Sequence, residues 1–246
     1  MLRIISCCFS LLLLAACDPA GLGPVATEEG AGPVCSGQGS ARCQFVNGPV
    51  KLTQDPVKLA TRRALFYPMA DALDFVDGKA DVWQAPQGTL TDGASIPPLF
   101  VGIVGNPTSD QFAQAAAIHD AYCGIGNEGG ARYHSRPWPQ VHRMFYDALR
   151  VGGTPERKAK LMFAAVWLGG PRWGVWDRGL LDVPGSEKQD ILRQAQGLID
   201  TQNPSVDELV GFLSRAEALA IAKSRNTVHG GGADGHGYYG GDPSDY

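Results

Sequence analysis

A single break in periodicity, at Pro97-Pro98, divides the body of this 246-residue chain into two kinds of structure. Upstream, apolar residues come in short pairs between turn formers. Phe75-Val76 and Val82-Trp83 flank Asp77-Gly78, a dipeptide suited to a tight hairpin turn. Downstream of the turn-rich Thr91-Asp92-Gly93-Ala94-Ser95-Ile96-Pro97-Pro98, apolar residues recur at helical spacing. Strands first and helices afterwards predict an α+β domain, with a small N-terminal antiparallel sheet followed by a packed helical body.

Five helices are expected. Ser109 is placed to cap the first, in which Phe112, Ala116, His119 and Cys123 share a face. Pro137 and Pro139 open the second, with Val141, Met144, Phe145, Ala148 and Leu149 as its apolar stripe. The third begins at Thr154-Pro155-Glu156 and stops at Gly169-Gly170-Pro171. Ser186 and Ser205 start two more, the latter with Glu208 at capping-box spacing.

The ends of the chain have a different character. Arg3, an apolar run from Ile4 to Leu14, and small residues before Cys17 have the layout of a cleaved signal. The run is well short of the roughly 20 residues that a membrane span needs. Leu14-Ala15-Ala16-Cys17 resembles the lipobox of bacterial lipoproteins. That resemblance implies cleavage before Cys17, a diacylglycerol on its sulfur, and a body held at the cell envelope outside the cytoplasm, on the periplasmic face in a bacterium with two membranes. Acyl chains contribute about 0.8 kcal/mol per buried CH₂, so several on one cysteine anchor a domain firmly. At the other end, HGGGADGHGYYGGDPSDY from His229 onward has too little apolar surface to offset the entropy of folding. The expected organisation is a signal peptide at 1–16, a lipid-anchored linker at 17–48, one α+β domain at 49–226 and a disordered Gly-rich tail at 227–246.

Acidic residues outnumber basic ones, 25 to 21, and the basic ones are scattered. A duplex-binding surface needs clustered Lys and Arg, so nucleic acid is not an expected partner. The expected partner is the membrane, through Cys17, and any protein or lipid partner is left open. Cys35 and Cys43, in a Gly/Ser-rich stretch, are candidates for a disulfide that staples a polar loop. Cys123 is left over, and is read as a small buried apolar side chain.

The candidate chemistry centres on His119 and Asp120, which follow three consecutive alanines. Adjacent helical residues diverge by about 100°, so each is expected to have its own partner rather than form a simple mutual pair. His142 borders the stripe of the second helix and can reach the same pocket. Asp92, in its loop of Gly and Pro, is the further candidate, with Ser95 beside it.

These residues carry a resemblance to a family, the bacterial and phage domain-of-unknown-function family numbered 1353. Thr91-Asp92-Gly93-Ala94-Ser95-Ile96-Pro97 looks like its signature loop, Ala116-Ala117-Ile118-His119-Asp120-Ala121-Tyr122 like its His-Asp helix, and Val141-His142-Arg143-Met144-Phe145 like its second helix. With Gly169-Gly170-Pro171-Arg172-Trp173, the likeness spans roughly residues 50 to 175. His142 is a departure, since the family's pattern usually has aspartate there.

The family carries no activity to transfer, and the residues admit several readings. A distant likeness to secreted calcium-dependent phospholipases implies that His119 activates water, Asp120 holds calcium, and the loop near Asp92 supplies carbonyl ligands. A second reading makes Asp92, His119, Asp120 and His142 ligands of a divalent transition metal such as zinc, with bound water as nucleophile. Ser95 as nucleophile with His119 as base is weaker, because no nucleophile-elbow spacing surrounds it. The non-catalytic alternative is an envelope lipoprotein that binds a partner and uses the same polar groups as satisfied core contacts.

Overall fold

The computed structural model of the chain describes residues 43–60, 62, 64–93, 96–105, 110–175 and 179–230. Six short strands come first. β1 (Gln44–Val46), β4 (Leu73–Val76) and β5 (Val82–Ala85) form one antiparallel sheet in the order β1-β4-β5. β2 (Val57–Lys58), β3 (Leu65–Pro68) and β6 (Leu90–Thr91) form a second, in the order β2-β3-β6. The strand-then-helix order read from the sequence is therefore the order of the fold, with its antiparallel part divided between two sheets.

Register places Phe45 opposite Phe75 and Phe75 opposite Trp83, so one face of the first sheet is aromatic, with Phe75 and Trp83 buried and Phe45 partly so. The β4–β5 connection differs from the expected tight turn. It is a five-residue loop, 77–81, with Ala80 at φ +63. The carboxylate of Asp77 organises it, accepting the backbone N–H of Lys79 at 2.8 Å and of Asp81 at 3.0 Å, and the indole N–H of Trp83 at 2.9 Å. A side chain that satisfies three donors lets the loop be longer than two residues and still hold its shape.

Six helices follow: α1 (Val101–Val104), α2 (Asp110–Cys123), α3 (Trp138–Val151), α4 (Glu156–Gly169), α5 (Gly185–Gln202) and α6 (Val206–Gly230). None of the described helices is long and apolar enough to cross a membrane. Ser109 lies outside the described residues. α3 starts after Pro137, and all five residues of its expected stripe are buried. Ser186 lies inside the first turn of α5, whose N-cap is Pro184, so it caps nothing there. At α6 the capping box is formed, with Ser205 Oγ accepting the Glu208 N–H at 3.2 Å and Glu208 Oε2 accepting the Ser205 N–H at 2.8 Å. α6 runs to Gly230, past the expected domain end at 226, and the rest of the expected tail lies outside the described residues.

α4 is the central helix, and every residue from Ala159 to Leu168 is buried. It packs against α3 on one side and α5 and α6 on another. α2 lies between the strands β4, β5 and β6 and α3. Ala115, Ala116 and Ala117 are fully buried, and their small side chains let both layers approach α2 closely. That packing brings the C-terminal half of α2 against the middle of α3.

Candidate metal centre

His119 and Cys123 are four residues apart on α2 and so share one face of the helix. His142 sits among the buried residues of α3, between Val141 and Met144. Where the helices meet, His119 Nε2 is 3.1 Å from His142 Nδ1. Cys123 Sγ is 3.4 Å from His119 Nε2 and 3.6 Å from its Nδ1. The three residues each offer a ligand atom within 4.8 Å of the others.

The cluster is sealed. His119 and Cys123 are each 3% exposed and His142 is 0% exposed. The ring of Phe145 stands 4.9 Å from that of His119, and Trp138 stands edge-on to His142 at 5.4 Å. Burial, and secondarily Asp120, pushes the Cys123 thiol well above its ordinary pKa. The thiol donates to the His119 carbonyl at 3.5 Å. Burial also drives His142 well below the usual histidine value, helped by His119 and Arg172 and opposed by the Pro171 backbone. It is therefore a neutral ring at ordinary pH.

Two ring nitrogens 3.1 Å apart need a proton or a cation between them, since two lone pairs at that distance repel. An acid lies on the outer side of one of the two rings. His119 Nδ1 is 3.9 Å from Asp120 Oδ1. His142 Nε2 is packed against Gly170, buried and without a hydrogen-bond partner among the described residues. A carboxylate placed as Asp120 is outside His119 orients a metal-binding histidine and turns its inner lone pair toward the ion. Zinc bonded to nitrogen at about 2.0–2.1 Å and sulfur at about 2.3 Å in tetrahedral geometry sets N···N near 3.4 Å and S···N near 3.6 Å. The observed N···N separation of 3.1 Å is close to the first value, while Sγ, nearly equidistant from the two nitrogens of His119, lies against that ring and would have to turn toward Nε2 to complete the set.

Of the sequence candidates, the structure brings His119 and His142 into direct contact. Asp120 is buried beside His119, nearer to it than divergent helical directions suggested, because His119 turns its Nδ1 toward the carboxylate. Asp92 is exposed, in the segment after β6, and is not part of the cluster. Ser95, Cys17 and Cys35 lie outside the described residues; Cys43 is buried and disulfide-bonded. Cys123 is buried as expected, but its sulfur joins the histidines. The signal that could have found it is its helical i, i+4 spacing from His119. The converging atoms are two nitrogens and a sulfur, a set that suits zinc or copper and not calcium, which takes oxygen ligands.

Residues 67–166 match the family described as "Protein of unknown function (DUF1353)". The matched segment is 100 of the 246 residues. It contains His119, Asp120, Cys123 and His142. The match is narrower than the span of the sequence resemblance, and ends before the Gly169–Trp173 segment that covers His142. Two proteins of Sinorhizobium fredii (strain NBRC 101917 / NGR234) are similar to the chain. The uncharacterized protein y4iH is 46% identical over 100 residues, 41% of this chain and 38% of that protein. The uncharacterized protein y4jT is 39% identical over 178 residues, 72% of this chain and 49% of that protein. The chain thus spans half or less of the length of these relatives. No solved structure matches it.

Proposed function

We propose that this chain is an envelope-anchored bacterial lipoprotein whose DUF1353 domain binds a thiophilic transition-metal ion of the zinc class. The ligands are His119 Nε2, Cys123 Sγ and His142 Nδ1. The observation that carries the reading is the convergence of these three donor residues, buried, with ligand atoms within 4.8 Å of one another and the two imidazole nitrogens 3.1 Å apart. The lipid anchor rests on the Leu14-Ala15-Ala16-Cys17 motif. A sealed site favours a structural or storage ion over one that must meet a substrate.

Hydrolysis by metal-bound water is the second reading. It is favoured by the ligand count, since three protein ligands leave a fourth position for water. Zinc-dependent cleavage of ester or phosphodiester substrates, lost in His119→Ala, separates it from the first.

The test of the binding reading is a titration of the purified full chain with Zn²⁺, Cd²⁺ and Ca²⁺, followed by metal analysis after dialysis. One equivalent of zinc or cadmium and no calcium is expected for the parent protein, with loss in Cys123→Ser and in His142→Ala. Failure to retain any ion, or equal retention in both folded variants, would overturn it.

A further inference from the structure

One of the proposed ligands, His142, is backed by irregular chain. On the α2 and α3 sides the site is enclosed by regular helix. On the side of His142 Nε2 the cover is irregular chain after the end of α4. A Cβ placed on Gly170 would come within 3.2 Å of that nitrogen, so the strap Gly169–Trp173 lies directly against the ring. Beyond it is a surface hollow of about 450 Å³, lined by residues that include Trp138 and Trp173. Both indoles also stand edge-on to the His142 imidazole, at 5.4 and 6.5 Å. A layer of two aromatic rings therefore separates the hollow from a proposed ligand.

Besides the Gly170 N–H bond to the Val166 carbonyl at 2.7 Å and the stacking of Trp173 on His134 at 4.2 Å, the strap is fastened by the polar groups of Arg172 and Trp173. Arg172 lies over the Trp138 ring at 4.2 Å and reaches across to α6, where it donates to both carboxylate oxygens of Glu217 at 2.5 and 3.2 Å. It also donates to the Trp167 carbonyl at 2.6 Å. Trp173 donates its indole N–H to the Arg136 carbonyl at 2.8 Å. A segment held by a few side-chain bonds opens locally at much lower cost than a packed helix.

We infer that the ion exchanges when the Gly169–Trp173 strap opens and lets His142 swing off it, and that Glu217 of α6, acting through Arg172, keeps that strap closed. The inference rests on the metal-binding reading above. Glu217 touches none of the proposed ligands, so its role is to set the rate of exchange, not the strength of the site. Weakening the latch raises association and dissociation together and leaves the equilibrium constant nearly unchanged.

The experiment follows zinc release from the loaded full chain into excess chelator, and zinc uptake by the apo chain, in Glu217→Gln. Both rates are expected to rise about tenfold, the factor a weakened charge-assisted hydrogen bond supplies, with Kd changed by less than about threefold. Trp173→Phe removes the indole N–H and trims the ring, and is expected to act in the same direction, which covers the case in which Glu217→Gln does not fold. Arg157→Ala cuts a surface ion pair between α4 and α5 and is expected to leave both rates at the parental value. Unchanged rates in both latch variants would overturn the gate while leaving the binding reading intact. A weaker Kd with unaltered uptake would also overturn it, since it would make Glu217 a determinant of affinity. If the parent protein takes up no zinc, the metal reading itself fails and the gate with it.

Discussion

Replacing Gly170 by alanine tests whether the strap is packed hard against His142. Gly170 has φ −76 and ψ 167, extended backbone that alanine adopts readily, so conformation alone costs nothing. The added Cβ, however, would lie 2.4 Å from the Val166 carbonyl oxygen, 3.1 Å from Val166 Cγ1 and 3.2 Å from His142 Nε2. The first of these is backbone at the end of α4, and the same oxygen accepts the Gly170 N–H at 2.7 Å. The strap must therefore move and weaken that bond. Overpacking of this kind costs about 1–3 kcal/mol, offset by about 0.4–1 kcal/mol from the stiffer unfolded chain. A net loss of about 1–2 kcal/mol corresponds to a fall in Tm of roughly 2–8 °C for a domain of this size. The assay is thermal unfolding of the apo full chain by circular dichroism, with Gly197→Ala as the contrast. Gly197 is exposed on α5 with nothing within 4 Å of its built Cβ, so alanine there is expected to raise Tm by a few degrees. A Gly170→Ala protein with an unchanged or higher Tm would refute the close packing of strap on ligand.

Two further substitutions probe the frame around the site. Lys160, 2% exposed on α4, is held by Glu156 Oε1 at 2.5 Å and Asn203 Oδ1 at 2.6 Å, so Glu156→Gln is expected to destabilise the domain by about 2 kcal/mol in urea titration. The hydrogen bond from Lys160 holds the Glu156 carboxyl below its ordinary pKa. Its contribution is therefore complete above the usual glutamate value and lost as pH falls through the folded-state value, and the variant should lack that acid-side loss. Asp77→Ala removes the acceptor of three N–H groups in the β4–β5 loop and is expected to cost about 2–4 kcal/mol, seen as a lower urea midpoint. A midpoint within error of the parent would contradict the role given to that carboxylate.

Local periodicity carried much of this architecture. The stripe Val141, Met144, Phe145, Ala148 and Leu149 identified α3, and Ser205 with Glu208 marked the start of α6, because those signals lie within one turn of helix. The division into two sheets was not legible, since strands of two to four residues leave no pattern that names their partners. The site was half visible. His119 and His142 stood out as polar residues beside apolar stripes, but their contact depends on how α2 crosses α3, which no local pattern encodes. Asp92 was grouped with them by the density of Gly and Pro around it, a property of the loop and not of its position in space. Cys123 was on the right face and was read by its commonest role, a small buried side chain. Its part in the cluster follows only from the sulfur's place beside both imidazoles. Arg172 and Glu217, 45 residues apart, are joined by tertiary packing alone.

The most direct test of the central claim is zinc-edge X-ray absorption of the full chain loaded with one equivalent of zinc. The account expects one sulfur at about 2.3 Å and two imidazole nitrogens at about 2.0–2.1 Å, with the sulfur absent in Cys123→Ser. A shell of oxygen and nitrogen alone, or one that is unchanged in Cys123→Ser, would contradict it.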